Sequence, residues 1–253
     1  MDPLLRRHYL HALGVQVWRP RFGAETAADA VPVCDPGLSQ TVPSGAEPIH
    51  PGPNTDLAWE TLAAEVTGCR ACGLCQTRTQ TVFGVGNRQA DLMLIGEAPG
   101  VDEDRAGEPF VGRAGQLLNL MLAAIGLSRE QVYIANILKC HPPGNRDPSP
   151  EEALRCEPFL RRQIALVRPK LLLAVGRVAA QTLLGTGTAV GRLRGQWFEF
   201  GANKTPLTVT YHPAYLLRSP DQKAVVWQDL QRVARRLRDL DNSAAGAGGV
   251  LER

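Results

Sequence analysis

Four short segments dominated by apolar residues punctuate this chain: Asp91–Ile95, Val132–Leu138, Leu171–Val175 and Leu207–Tyr211. Runs of Leu, Ile, Val and Met of this length suit strands buried on both faces of a parallel sheet. Helical periodicity lies between them. A helix capped by Asn54 or Thr55 runs through Leu57, Leu62 and Val66 and ends at Gly68; a second spans Arg113 to Ile125 and is stopped by Gly126. Ser149-Pro150-Glu151-Glu152 opens a third, with a cap, a proline in the first turn and acidic side chains near the positive end. That helix carries Cys156 and runs to Val167. Gly176 introduces a helix to Leu184, Gln196–Phe200 reads as a short β excursion, and a basic helix from Asp221 to Leu240 closes the pattern. Alternating strands and helices predict an α/β fold, a parallel sheet with helices on both faces.

Before this domain the pattern changes. Leu4, Leu5, Tyr9, Leu10 and Leu13 fall at helical spacing, and Trp18 follows in an arm ending at Phe22. Residues 23–54 are rich in Ala, Pro, Gly and Ser and cannot bury much apolar area, which predicts a disordered linker. The expected organisation is a helix and arm over 1–22, the linker over 23–54, the main domain over 55–242 and a flexible tail over 243–253. Trp18 makes the arm either an anchor for an unknown protein partner or a segment packed on the domain.

Composition narrows the setting. The 253 residues suit one α/β domain with an appendage, and a net charge of +3 permits a nucleic-acid partner without requiring one. No stretch approaches the roughly 20 apolar residues of a membrane span. The basic start, Met1 to Leu13, lacks the apolar core of a secretion signal, so a bacterial, cytoplasmic and monomeric protein is expected. In that compartment six cysteines point to metal or redox chemistry rather than disulfides. Cys69-x2-Cys72 is separated by a long interval from Cys140-x15-Cys156, and four thiolates suit either tetrahedral zinc or an iron–sulfur cluster. Cys75 offers an alternative C-x2-C pair, and Cys34 stands alone.

Two segments follow directly on predicted strands: Gly96-Glu97-Ala98-Pro99-Gly100-Val101-Asp102-Glu103-Asp104 and His212-Pro213-Ala214-Tyr215-Leu216-Leu217-Arg218. Ligands of open α/β sheets bind beyond the carboxyl ends of the strands. A carboxylate cluster and a histidine are thereby expected to share one cleft.

Together with Arg78–Gly86, Gly107–Gly115, Asn136–Cys140 and Pro142–Arg146, these segments carry a resemblance to the family 4 uracil-DNA glycosylases, the iron–sulfur members of the uracil glycosylase superfamily. It extends from Cys69 to about Leu240. It implies a three-layer α/β/α sandwich around a four-stranded parallel sheet, and a 4Fe–4S cluster on Cys69, Cys72, Cys140 and Cys156 with Cys75 a spectator. It also implies hydrolysis of uracil from single-stranded DNA or from U:G and U:A duplexes, leaving an abasic site. No basic insert follows Arg218 and Glu97 stands in the glycine motif, which disfavours a covalent variant of the superfamily.

On this reading the base leaves the stack and lies on Phe110. Asn136 accepts from uracil N3–H and donates to O4, while His212 donates to O2, helped by backbone amides near Gly96 and Glu97. Glu103 is the first choice for the carboxylate that handles water, Asp104 the second, with Glu97 shaping the pocket. Arg113, Arg146, Arg218 and Lys139 are expected to meet phosphates, together with the amides of Gly112–Gly115 and Gly176-Arg177. Leu216 or Leu217 is expected to wedge into the duplex. The competing readings are a metal-stapled DNA-binding module without turnover and a glycosylase with a broader range of deaminated bases.

Overall fold

The computed structural model describes residues 53–247. The expected N-terminal helix and arm, Trp18, Cys34 and nearly all of the linker lie outside the described residues.

The apolar runs form the strands that their composition demands. β2 (Leu92–Gly96), β3 (Tyr133–Asn136) and β4 (Leu171–Val175) are buried throughout, and β6 (Thr205–Thr210) over its last four residues. They pair in parallel in the order β3-β2-β4-β6. Two short antiparallel strands, β1 (Val85–Gly86) beside β3 and β5 (Phe198–Phe200) beside β6, close the edges of a six-stranded sheet. The expected parallel four are thus the centre of a mixed sheet, and β1 is new. The run read as one strand over 132–138 leaves the ladder after Asn136. Ile137 and Leu138 still donate to the carbonyls of Gly96 and Glu97, both at 3.0 Å.

Period-two alternation divides the core. Met93, Ile95, Leu172 and Ala174 face one side, against Trp59 of α1 (Pro53–Gly68), Leu160 and Ile164 of α4 (Pro150–Val167) and Ala180 of α5 (Arg177–Leu184). Leu92, Leu94, Leu171 and Leu173 face the other, against α3 (Arg113–Ala124), α7 (Pro213–Arg218) and α8 (Lys223–Ala247). These are the two outer layers of an α/β/α sandwich. Between α1 and α3 lies α2 (Val101–Ala106), and α6 (Val190–Leu193) precedes β5. Leu57, read as a core position of α1, is exposed, and Trp59 is buried in its place. The last helix continues to Ala247, five residues into the expected tail. None of the described helices is long and apolar enough to cross a membrane.

The chain leaves β2 toward β3 and leaves β4 toward β6, so the two connections diverge from neighbouring strands. A ligand crevice is expected at such a switch point.

Candidate active site

The residues that end the central strands are drawn together by strand register. Gly96 pairs with Asn136 across β2 and β3. A Cβ on Gly96 would meet Asn136 Oδ1 at 2.4 Å and Phe110 Cζ at 2.7 Å, so the absent side chain leaves room for both. Gly176, at the end of β4, has φ +97° and lies so close to His212 that a Cβ would come within 2.9 Å of the imidazole's own Cβ. Phe110 and His212 stack with ring centroids 5.5 Å apart at 29°. Gly96, Asn136, Phe110 and His212 therefore form one contiguous wall.

Asn136 is buried, and its Oδ1 has no hydrogen-bond partner among the described residues. A buried amide oxygen left unpaired costs about 1–3 kcal/mol, and such orphans mark a site awaiting a donor. His212 caps α7, and its Nδ1 accepts from the Ala214 N–H at 3.1 Å. In the neutral ring this assigns the proton to Nε2. Burial, aided by the positive charge of Arg218, pushes His212 down to about 4, while Glu103 pulls the other way. His212 is thus a neutral donor at physiological pH. Phe110 is buried and holds φ +55°, a left-handed conformation that is uncommon away from glycine and costs of order 1–3 kcal/mol.

The three candidate carboxylates separate by what they touch. Glu103 is committed to backbone: its Oε2 accepts from Gly100 N–H at 3.1 Å, and its Oε1 from Val111 and Gly112 at 3.0 and 3.1 Å. Asp104 is buried and accepts twice from the Thr79 N–H, at 2.9 and 3.1 Å. Both are held in place by backbone amides, whereas Glu97 is not, and this favours Glu97 over the order expected from sequence. Glu97 is half-buried and, among the described residues, engaged electrostatically rather than by hydrogen bonds. Burial and then the charge of Asp147 raise it above the ordinary carboxylate range, and Arg177 opposes them. Arg177 itself bridges to Asp147. The Asp147–Arg177 pair went unnoticed in the sequence because thirty residues separate its members.

The residues expected at DNA are also sorted. Arg113 and Arg218 are exposed. Arg146 is half-exposed and paired with Glu152 at 2.6 Å. Lys139 is buried, not at the surface. Its Nζ donates to Asn136 O at 2.9 Å and Gln163 Oε1 at 2.6 Å, and burial pushes it down to about 8 against the pull of Cys156 and Cys140. Leu216 is wholly buried under α3, and only Leu217, 39% exposed, can reach a ligand. The Gly112 amide is held by Glu103 and is not offered to phosphate.

All four expected metal ligands line one cavity, with Cys75 beside them and Arg78, Lys139 and Phe159 completing the wall. Cys140 accepts from Arg78 at 3.0 Å, Cys156 from the Lys139 N–H at 3.3 Å and Cys69 from the Ala71 N–H at 3.5 Å. Burial pushes the Cys156 thiol up to about 11 and raises Cys140 as well, with Arg78 opposing it. No described group of three or more His, Cys, Asp or Glu side chains is arranged for a single ion. Several thiols around one cavity with N–H donors on their sulfurs have the chemistry of a thiolate-bound metal centre. Arg78 also donates to Thr67 O and Cys69 O, tying the ligand segments together.

Comparison with known proteins follows the same residues. A profile described as the Uracil DNA glycosylase superfamily matches residues 83–231. The chain is 44% identical over 178 residues to a protein of Archaeoglobus fulgidus named type-4 uracil-DNA glycosylase, an alignment covering 68% of this chain and 89% of that one. Proteins of the same name from Saccharolobus solfataricus (40%, covering 79% of this chain and 96% of the relative) and Thermotoga maritima (39%, 68% and 91%) are similar to it as well.

Proposed function

Because the chain belongs to the uracil-DNA glycosylase superfamily, we propose that it flips uracil out of DNA and hydrolyses the N-glycosidic bond, leaving an abasic site for repair. The observation that carries this reading is the orphaned Asn136 Oδ1, buried between Gly96 and Phe110. Uracil presents N3–H to that oxygen and O4 to the amide's N–H. Cytosine presents an acceptor and a donor in those places, leaving buried groups unpaired. The Phe110 ring offers a stacking platform, worth about 1–3 kcal/mol per base.

As the C1′–N1 bond breaks, its electron pair passes to the uracil ring and charge gathers at O2. His212 Nε2–H, fixed by the Ala214 contact, is a neutral donor for that charge. Preorganised donors of this kind contribute about 3–4 kcal/mol each. Water adds its oxygen to C1′ and gives a proton to a carboxylate. Glu97 takes this role in our reading, because the backbone amides that hold Glu103 and Asp104 leave it the freest of the three carboxylates. Arg113, Arg218 and Leu217 face the duplex.

The cysteine set supports a 4Fe–4S cluster on Cys69, Cys72, Cys140 and Cys156. Such a cluster supplies a structural staple between the end of α1 and the segment after β3. Purified protein is expected to be brown and to contain iron with acid-labile sulfide; colourless protein with stoichiometric zinc would contradict the assignment.

The activity is tested by incubating the protein with uracil-containing single strands and duplexes, then alkali. Strand scission at uracil is expected, and Asn136→Ala is expected to lose most of it. An intact strand with the wild-type protein would sink the proposal.

A further inference from the structure

The turn that presents Phe110 is held from two sides by opposite charges. Arg129, in the 3-10 turn before β3, donates through one guanidinium nitrogen to Phe110 O at 3.2 Å and through the other to Pro109 O. Glu103 takes the next two N–H groups, Val111 and Gly112, on a single carboxylate oxygen. Two successive carbonyls face a cation and the following two amides face an anion. The left-handed Phe110 lies where the two grips meet. Gly115 closes the arrangement from α3, where a Cβ would fall 1.8 Å from Phe110 O.

Arg129 is half-buried, and burial lowers its pKa against the opposing charges of Glu108, Glu130 and Glu103. It is within ion-pair distance of no carboxylate among the described residues, so its desolvated charge is spent on the two carbonyls. The planar fork holds both carbonyls in a fixed mutual geometry that lysine's rotatable point charge does not reproduce.

We infer that Arg129 is a positioning residue for base excision, acting with Glu103 as a two-sided clamp that sets the tilt of the Phe110 ring against the flipped base. The inference rests on the glycosylase reading above. Neither clamp residue touches the base. Arg129 acts through the ring, while the Glu103 charge also bears on His212, and misplacement of a reacting group by about 1 Å costs on the order of 100-fold in rate.

A double-mutant cycle tests this with the full chain. Single-turnover excision from a uracil-containing single strand is measured for wild type, Arg129→Met, Phe110→Ala and the double variant, beside inhibition by free uracil. Arg129→Met is expected to slow excision about 10- to 100-fold and weaken uracil inhibition in the wild-type background. Once the ring is gone, the same substitution is expected to change the rate by less than about threefold. Arg129→Lys is expected to recover only part of the loss. Equal losses in both backgrounds, or unaltered uracil inhibition, would overturn the clamp and leave the glycosylase reading standing. An inactive wild-type protein would overturn both. Should the Arg129 variants fail to fold, Glu103→Gln attacks the same turn from the anionic side, with the same non-additivity expected and the same additivity refuting it.

Discussion

His212 provides the most demanding prediction, because one observation fixes both its chemistry and its contribution to stability. Its proton is assigned to Nε2 by the Ala214 contact, and burial with Arg218 displaces its pKa from 6.5 to about 4. The unfolded chain binds this proton near pH 6.5; the folded chain binds it only near 4. Acidification between those values therefore favours the unfolded state. Stability from this group is fully present above pH 6.5 and is lost as pH falls toward 4. At 1.36 kcal/mol per unit the loss reaches about 3 kcal/mol at most. The assay is urea unfolding of the DNA-free protein across that range, compared with His212→Gln, in which the other titrating groups cancel. The wild type is expected to lose stability more steeply than the variant by up to about 3 kcal/mol. The single-turnover rate of the wild type is expected to show no inflection at 6.5. Parallel stability curves, or an imidazole that titrates near 6.5 by NMR, would refute the burial and donor argument together.

Other substitutions separate roles that neighbouring residues share. Leu216→Ala is expected to cost about 2–5 kcal/mol of stability in urea unfolding, as a buried leucine does. Leu217→Ala is expected to leave stability unchanged and to slow excision from duplex about tenfold more than from single strands, the cost of losing a wedge. Asp229 is buried and holds Arg194 at 2.8 and 2.9 Å and Thr210 at 2.9 Å, although burial outweighs these partners and raises its pKa. Asp229→Ala strands the guanidinium and is expected to destabilise the domain by about 3–5 kcal/mol in the same assay. Arg78→Met removes the donor to Cys140 and the tie to Cys69, and is expected to lower the iron retained per purified chain, read by metal analysis.

The strands were legible because burial on both faces writes a continuous apolar run, as in Leu171–Val175, which matches its predicted limits. α4 was legible from its start, where Ser149 Oγ accepts from the Glu152 N–H and Glu152 answers. The edge strand β1, two residues long, carries no pattern to detect. α2 and α7 were hidden because each has only six residues and opens on a motif rich in glycine or proline. Within the site, residue types were readable but their commitments were not. The one local sign that tells Glu97 from Glu103 is that Glu103 stands three residues after the Gly100 cap that it answers; the other amides that claim it lie eight and nine residues downstream. Leu216 and Leu217 are adjacent and chemically identical, and only the packing of α7 against α3 divides them. Arg129 lies in a turn whose sequence offers no sign that it reaches back to the Phe110 carbonyl.

Asn136 and Cys140 are separated by three residues of a segment that is buried throughout. Lys139 bends its amine back onto the Asn136 carbonyl, so the segment is braced as well as short. Displacement at the sulfur end has few soft torsions in which to dissipate before it arrives at the amide. The amide and the thiol are accordingly two ends of one stiff strut, with no hinge between them.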